Sequence, residues 1–164
     1  MDVKLIQIGV IHSTHKQAAG TPIQPCMADA AEGWVEVFHE YTEALADLDG
    51  FERVWLIYWF DRATGGKLKV KPFLDDTERG LFATRAPCRP NPIGMSAVRL
   101  LGIAGARIRI ADVDILDGTP LLDIKPYVPR FDSYPQARAG WLDKETSRRR
   151  DDVKADNRFD EKGC

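Results

Sequence analysis

The chain has 164 residues, 44% of them hydrophobic and 29% charged, with a formal net charge of −2. Such a composition fits one globular domain with a real core, and it excludes a protein whose whole surface grips nucleic acid. No run of about 18 apolar residues occurs, so a membrane-spanning helix is excluded and a cytoplasmic location is expected.

The opening MDVKLIQIGVIHS alternates around Leu5, Ile6, Ile8, Val10 and Ile11, which predicts a strand over 4–12 rather than a secretion leader. After it, TPIQPCM at 21–27 reads as a stiff loop whose polar reach comes from Gln24 and the backbone. WVEVF at 34–38 predicts a second strand. YTEALADL at 41–48, stopped by Asp49-Gly50, predicts a helix, and the C-terminal region is expected to hold another. RVWLIYWF at 53–60 is a continuous aromatic and β-branched run, which suits a strand buried on both faces. Further strands are expected at 67–73, 80–84, 95–103, 106–113 and 121–127, separated mostly by glycine and proline clusters.

About eight short strands and few helices predict a mainly β fold, a single-domain barrel whose closure hides its sheet edges. A Rossmann fold is excluded, because strands do not alternate with helices and no G-x-G-x-x-G occurs. The barrel domain is expected to span 1–143. Residues 144–164, with seven basic and six acidic side chains, are expected to form a charged, flexible tail whose Arg148, Arg149 and Arg150 could meet phosphate. Cys26, Cys88 and Cys164 lack a C-x-x-C pair or zinc spacing, so neither a disulfide framework nor a metal site is expected. His12 and His15 alone make a poor metal site.

Two segments carry the chemistry. FATRAPCRPNPIG at 82–94 sets Arg85 and Arg89 four residues apart around Pro87, and continues through Asn91 between two prolines. Each proline fixes φ and removes a donor, so this loop is stiff, and its guanidiniums suit a carboxylate or phosphate. DILDGTPLLDIKPY at 114–127 adds Asp114, Asp117 and Asp123 to Asp112 just upstream. Asp117-Gly118 is a hairpin signal, while Asp112 and Asp114 are expected on one strand face. A carboxylate there could accept ribose hydroxyls or an amine, or act as a general base. Asp123 and Lys125 would fall on one face as an ion pair.

IQIGVIHS, PIQP, FERVWLIYWF, FATRAPCRPNPIGMS and DILDGTPLLDIKPYVP together resemble the TsaA-like family, over roughly residues 5–129. The resemblance implies a β-barrel S-adenosylmethionine-dependent methyltransferase, a homodimer with the cofactor near its interface. It implies N6-methylation of the threonylcarbamoyladenosine beside the tRNA anticodon. Carried onto this chain, cofactor contacts fall on Pro25, Cys26, Met27, Asp61, Arg62, Arg85, Met95, Ala111, Asp112, Val113 and Asp114. Cys26 replaces a glycine frequent in the family, and Asp61-Arg62 replaces His-Gln. The longer members carry a C-terminal domain after the barrel, and this chain resembles a short form without it. In the expected mechanism Asp114 or Asp117 is the base and Arg85 or Arg89 clamps a carboxylate, with Arg89, Asn91, Lys125 and Tyr127 on the substrate side. An S-adenosylmethionine-binding module without turnover, and a methyltransferase of small metabolites, are the alternatives.

Overall fold

The computed structural model describes residues 3–144 and 154–159. Eight strands run in chain order: β1 (Gly9–Ser13), β2 (Glu32–Val37), β3 (Arg53–Trp59), β4 (Lys69–Val70), β5 (Arg79–Gly80), β6 (Ile93–Ala104), β7 (Arg107–Ala111) and β8 (Thr119–Pro126). Six of them close into an antiparallel barrel in the order β1-β2-β7-β6-β3-β8. The mainly β, barrel-forming expectation is met.

Alternation drives the closure. Ile11 on β1, Val35 on β2, Val54 and Leu56 on β3, Val98 on β6, Ile108 and Ile110 on β7 and Leu121 on β8 are each fully buried inside the barrel. Burying such aliphatic side chains stabilises the fold by roughly 1.5–3 kcal/mol apiece. β3 departs from its expected burial on both faces. Val54, Leu56 and Tyr58 point inward, while Trp55, Ile57 and Trp59 remain half-buried outside. Tyr127 covers Trp55 edge-on, with ring centroids 5.4 Å apart.

The strands expected at 67–73 and 80–84 shrink to the two-residue pair β4–β5, which stands apart from the barrel. Pro72 cannot donate to a ladder, and the Asp75 carboxylate turns the chain by accepting from the Thr77 N–H and from Arg79. Leu81–Ala83 then forms a single 3-10 turn. The helix expected at 41–48 is also a 3-10 helix, His39–Leu45; it ends where Ala46 turns extended (ψ 136°), and Asp47 follows in the left-handed region (φ 63°). Asx residues adopt that conformation at modest cost, and it cannot continue a helix.

Asp117-Gly118 is no hairpin. β7 pairs with β2 and β6, while β8 pairs with β1 and β3, so residues 112–118 cross over between strands that are not neighbours. Gly118 (φ 83°) donates its N–H to the Ile11 carbonyl, and Ser13 Oγ donates to the Ile115 carbonyl at 2.7 Å. The crossover is thereby stitched to β1 across one mouth of the barrel.

Candidate active site

That crossover places Asp114 at the wall of a cavity of about 680 Å³. Asp114 and Asp112 do not share a strand face, because both lie beyond the end of β7 and Asp112 adopts φ 63°. The two carboxylates consequently meet different surroundings.

Asp112 accepts from Arg53 Nη2 at 2.9 Å, Arg99 Nε at 2.9 Å and Arg99 Nη2 at 3.2 Å. Burial would push its carboxyl up, but the Arg99 and Arg53 hydrogen bonds and charges hold it below the usual carboxylate range. It is a latch joining the end of β7 to β3 and β6. Ala111 and Val113 beside it are buried.

Asp114 is half-buried and lines the cavity. Its Oδ1 accepts from Ser96 Oγ at 2.7 Å, and Ser96 Oγ lies 3.1 Å from Tyr58 Oη. Burial pushes the Asp114 carboxyl up to about 6, against the lowering effect of Ser96, its own backbone N–H and the Arg85 charge. Burial and the nearby Asp114 charge also push the Tyr58 phenol up, so it stays protonated. A carboxyl with that affinity for protons is suited to proton exchange near neutrality.

Arg85 and Met95 border this cavity and also a second, shallower hollow of about 440 Å³ that Pro25, Cys26, Trp55 and Tyr127 help to line. Arg85 Nη1 donates to Gln24 Oε1 at 2.6 Å, so the pair forms a partition between the two spaces. Arg89 lines the main cavity but spends Nη1 on the carbonyls of Thr84 (3.0 Å) and Ala86 (3.4 Å), bracing its own loop. Asp61 and Arg62 also line the cavity, and Arg62 donates to the backbone carbonyls of Lys16 and Asp117.

Asp117 differs from Asp114. It pairs with Lys16 Nζ at 2.6 Å and accepts the Ser13 N–H at 3.1 Å; the Lys16 hydrogen bond is the main reason its carboxyl sits below the usual range. Asn91 is exposed, and Lys125 pairs with Asp123 at 2.8 Å on the outer surface. Met27 lies in the 3-10 turn Pro25–Met27. Among the described residues no group of three or more His, Cys, Asp or Glu side chains could hold a metal ion. Cys88 is fully buried, Cys26 is exposed, and Cys164 lies outside the described residues. Arg148, Arg149 and Arg150 lie outside the described residues.

Sequence reading missed Tyr58 and Ser96. Both sit within apolar strand patterns, and only the pairing of β3 with β6 sets them against Asp114. Gly94 was the available signal. A Cβ there would come within 2.2 Å of the Tyr58 ring, so glycine is required for the ring to lie across β6.

A family model for the tRNA-methyltransferase O N-terminal domain matches residues 10–133. The chain belongs to that family. A probable S-adenosyl-L-methionine-binding protein of Pyrococcus abyssi is 55% identical over 84% of this chain and 74% of its own length. The tRNA (adenine(37)-N6)-methyltransferase of Escherichia coli is 36% identical over 82% of this chain and 62% of its own. The crystal structure of TrmO from Pseudomonas aeruginosa superposes with a TM-score of 0.74 and 41% identity, covering 85% of this chain. The chain spans 62% of the length of each of the last two proteins. Family membership matches the resemblance carried by the FATR, RPNPIG and DGTP motifs, all of which border the Asp114 cavity or its crossover.

Proposed function

We propose that this chain is an S-adenosylmethionine-dependent methyltransferase acting on N6 of the threonylcarbamoyladenosine beside a tRNA anticodon. The observation that carries this reading is a largely buried carboxylate, Asp114, facing a cavity large enough for a nucleoside-sized ligand, with an arginine close by. The E. coli relative is named for N6-methylation of adenine 37 of tRNA, and the Pyrococcus relative as a probable S-adenosyl-L-methionine-binding protein.

The residues present fit that donor. The cavity is lined by polar groups, among them Asp114, Thr84 and Arg85, and by apolar ones, among them Pro22, Ile23 and Phe73. Such a mixed lining suits a ligand with an amino-acid group and an adenine ring. When bound, S-adenosylmethionine supplies an electrophilic methyl group on a sulfonium. Arg85, whose fork is only partly used by Gln24, clamps a carboxylate. Asp114 takes the proton that the acylated exocyclic nitrogen must lose, a step general bases typically accelerate 10²–10⁴-fold. Ser96 holds Oδ1 in place, and Tyr58 holds Ser96. Asp112, Asp117 and Arg89 serve as framework in this reading, while Asp61 and Arg62 shape the rim. Asn91, Lys125 and Tyr127 stand outside the main cavity, where a macromolecular substrate would lie.

A homodimer belongs to the same reading. Met95 (49% exposed) and Tyr134 (77% exposed) border the second hollow, and exposed apolar groups gathered at one site mark interfaces. Sedimentation at equilibrium should give twice the chain mass. A cytoplasmic location would follow from the tRNA substrate.

Nucleoside mass spectrometry of tRNA from cells with and without this chain tests the activity. Loss of the methylated threonylcarbamoyl nucleoside, restored by the wild type and not by Asp114→Asn, is expected. A second reading, a donor-binding module without turnover, draws on the naming of the Pyrococcus relative. Donor binding by calorimetry with unchanged tRNA nucleosides would favour it, or a small-metabolite acceptor, over the tRNA enzyme.

A further inference from the structure

Residues 154–159 lie beyond the family match, yet they form a wall of the cavity. Ala155 donates its N–H to the Thr21 carbonyl at 2.9 Å and accepts from the Gly20 N–H at 2.8 Å. On the opposite rim, Arg158 Nη1 donates to the Pro72 carbonyl at 2.6 Å, and its guanidinium lies 5.1 Å from the Phe73 ring centroid. The segment is therefore a brace between the loop at 17–24 and the loop carrying Phe73. Phe159 packs against Val70, Leu81 and Ala86 and meets Phe73 edge-to-face, with centroids 4.9 Å apart at 81°. Both phenylalanines are only partly buried, and both line the cavity.

Phe159, backed by that aliphatic cluster and set edge-to-face with Phe73, is a rigid aromatic part of the cavity lining, and such side chains receive planar π-systems without reading sequence. We propose that Phe73 and Phe159 form the seat of an adenine ring, which makes the C-terminal segment a specificity-determining part of the site. This rests on the proposed function, under which two adenines reach the cavity, one in the methyl donor and one in the acceptor nucleotide.

The test compares full-length wild type with Phe159→Leu, which keeps apolar packing against Val70, Leu81 and Ala86 but deletes the ring, and with Phe159→Tyr, which keeps the ring. Calorimetric Kd for S-adenosylmethionine is measured alongside KM for tRNA and kcat. Base stacking of this kind is expected to make about a tenfold difference in affinity. A weaker Kd for the donor in Phe159→Leu, with tRNA KM and kcat held, seats the donor's adenine on Phe159. An unchanged donor Kd with a raised tRNA KM seats the acceptor's base there. Either effect must be restored in Phe159→Tyr; a loss that the tyrosine does not rescue is a packing effect and overturns the proposal. Wild-type values throughout in Phe159→Leu overturn it as well. Wild type that neither binds the donor nor methylates tRNA overturns the functional reading itself, and the adenine seat with it.

Discussion

Ser96 Oγ donates its single hydrogen to Asp114 Oδ1 across 2.7 Å, so the Tyr58 hydroxyl 3.1 Å away must be the donor to Ser96. The result is a directed chain from a phenol that stays protonated to a carboxylate that titrates near neutrality. β3 and β6 contribute its first two members, and the crossover from β7 to β8 contributes the third.

If Asp114 is the base, activity depends on its ionised form. kcat/KM for methylation should rise about tenfold per pH unit below pH 6 and level off above it, since Asp114 loses its proton at about 6. Asp114→Asn should fold and bind donor while losing roughly 10²-fold or more in kcat. Ser96→Ala removes a hydrogen bond that favours the ionised form, so the midpoint of the profile should move to higher pH. A flat profile in wild type, measured from pH 4.5 to 8, would remove Asp114 from the chemistry.

Stability should respond to the same group in the opposite sense. The folded state holds the Asp114 proton more tightly than the unfolded chain, which releases it near the ordinary value of 3.8. The group's favourable contribution is therefore complete below about pH 4 and is lost as the pH rises through 6. Over that window wild type should lose on the order of 2–3 kcal/mol relative to Asp114→Asn. Urea unfolding of both proteins at pH 4.5 and pH 7 measures the difference.

Gly94→Ala tests the close approach of β3 to β6. The new methyl would stand 2.2 Å from Tyr58 Cε2, so the ring or the strand must shift. Overpacking of this kind costs about 1–3 kcal/mol. A lower urea midpoint is expected, together with a fall in kcat, because the displaced ring no longer supports Ser96.

Asp112→Ala should lower stability without touching the chemistry directly. It leaves Arg53 and Arg99 facing each other without their shared carboxylate. Because the folded Asp112 carboxyl is held below its ordinary value, its contribution is present above about pH 4 and fades as the pH falls further. The gap in urea midpoint between wild type and Asp112→Ala should accordingly narrow in acid.

Period-2 burial at Val35, Val54, Leu56 and Val98, with glycine and proline punctuation, was enough to announce a barrel, since alternation records which side of a strand meets the core. The motif loops were equally legible, because proline and glycine act through local φ, and Arg85 and Asp114 do face the cavity. Distances between segments far apart in the chain are not local, and there the sequence was silent or misleading. Asp112, Asp114 and Asp117 read as one acidic cluster. Only the crossover separated them into an arginine latch, a carboxylate on the cavity wall and a lysine pair. Tyr58 and Ser96 looked like strand filler until β3 paired with β6, and residues 154–159 looked like solvated tail until Phe159 met Phe73. Local backbone preference is written residue by residue, whereas a carboxylate's burial and partners are set by whatever the rest of the chain brings beside it.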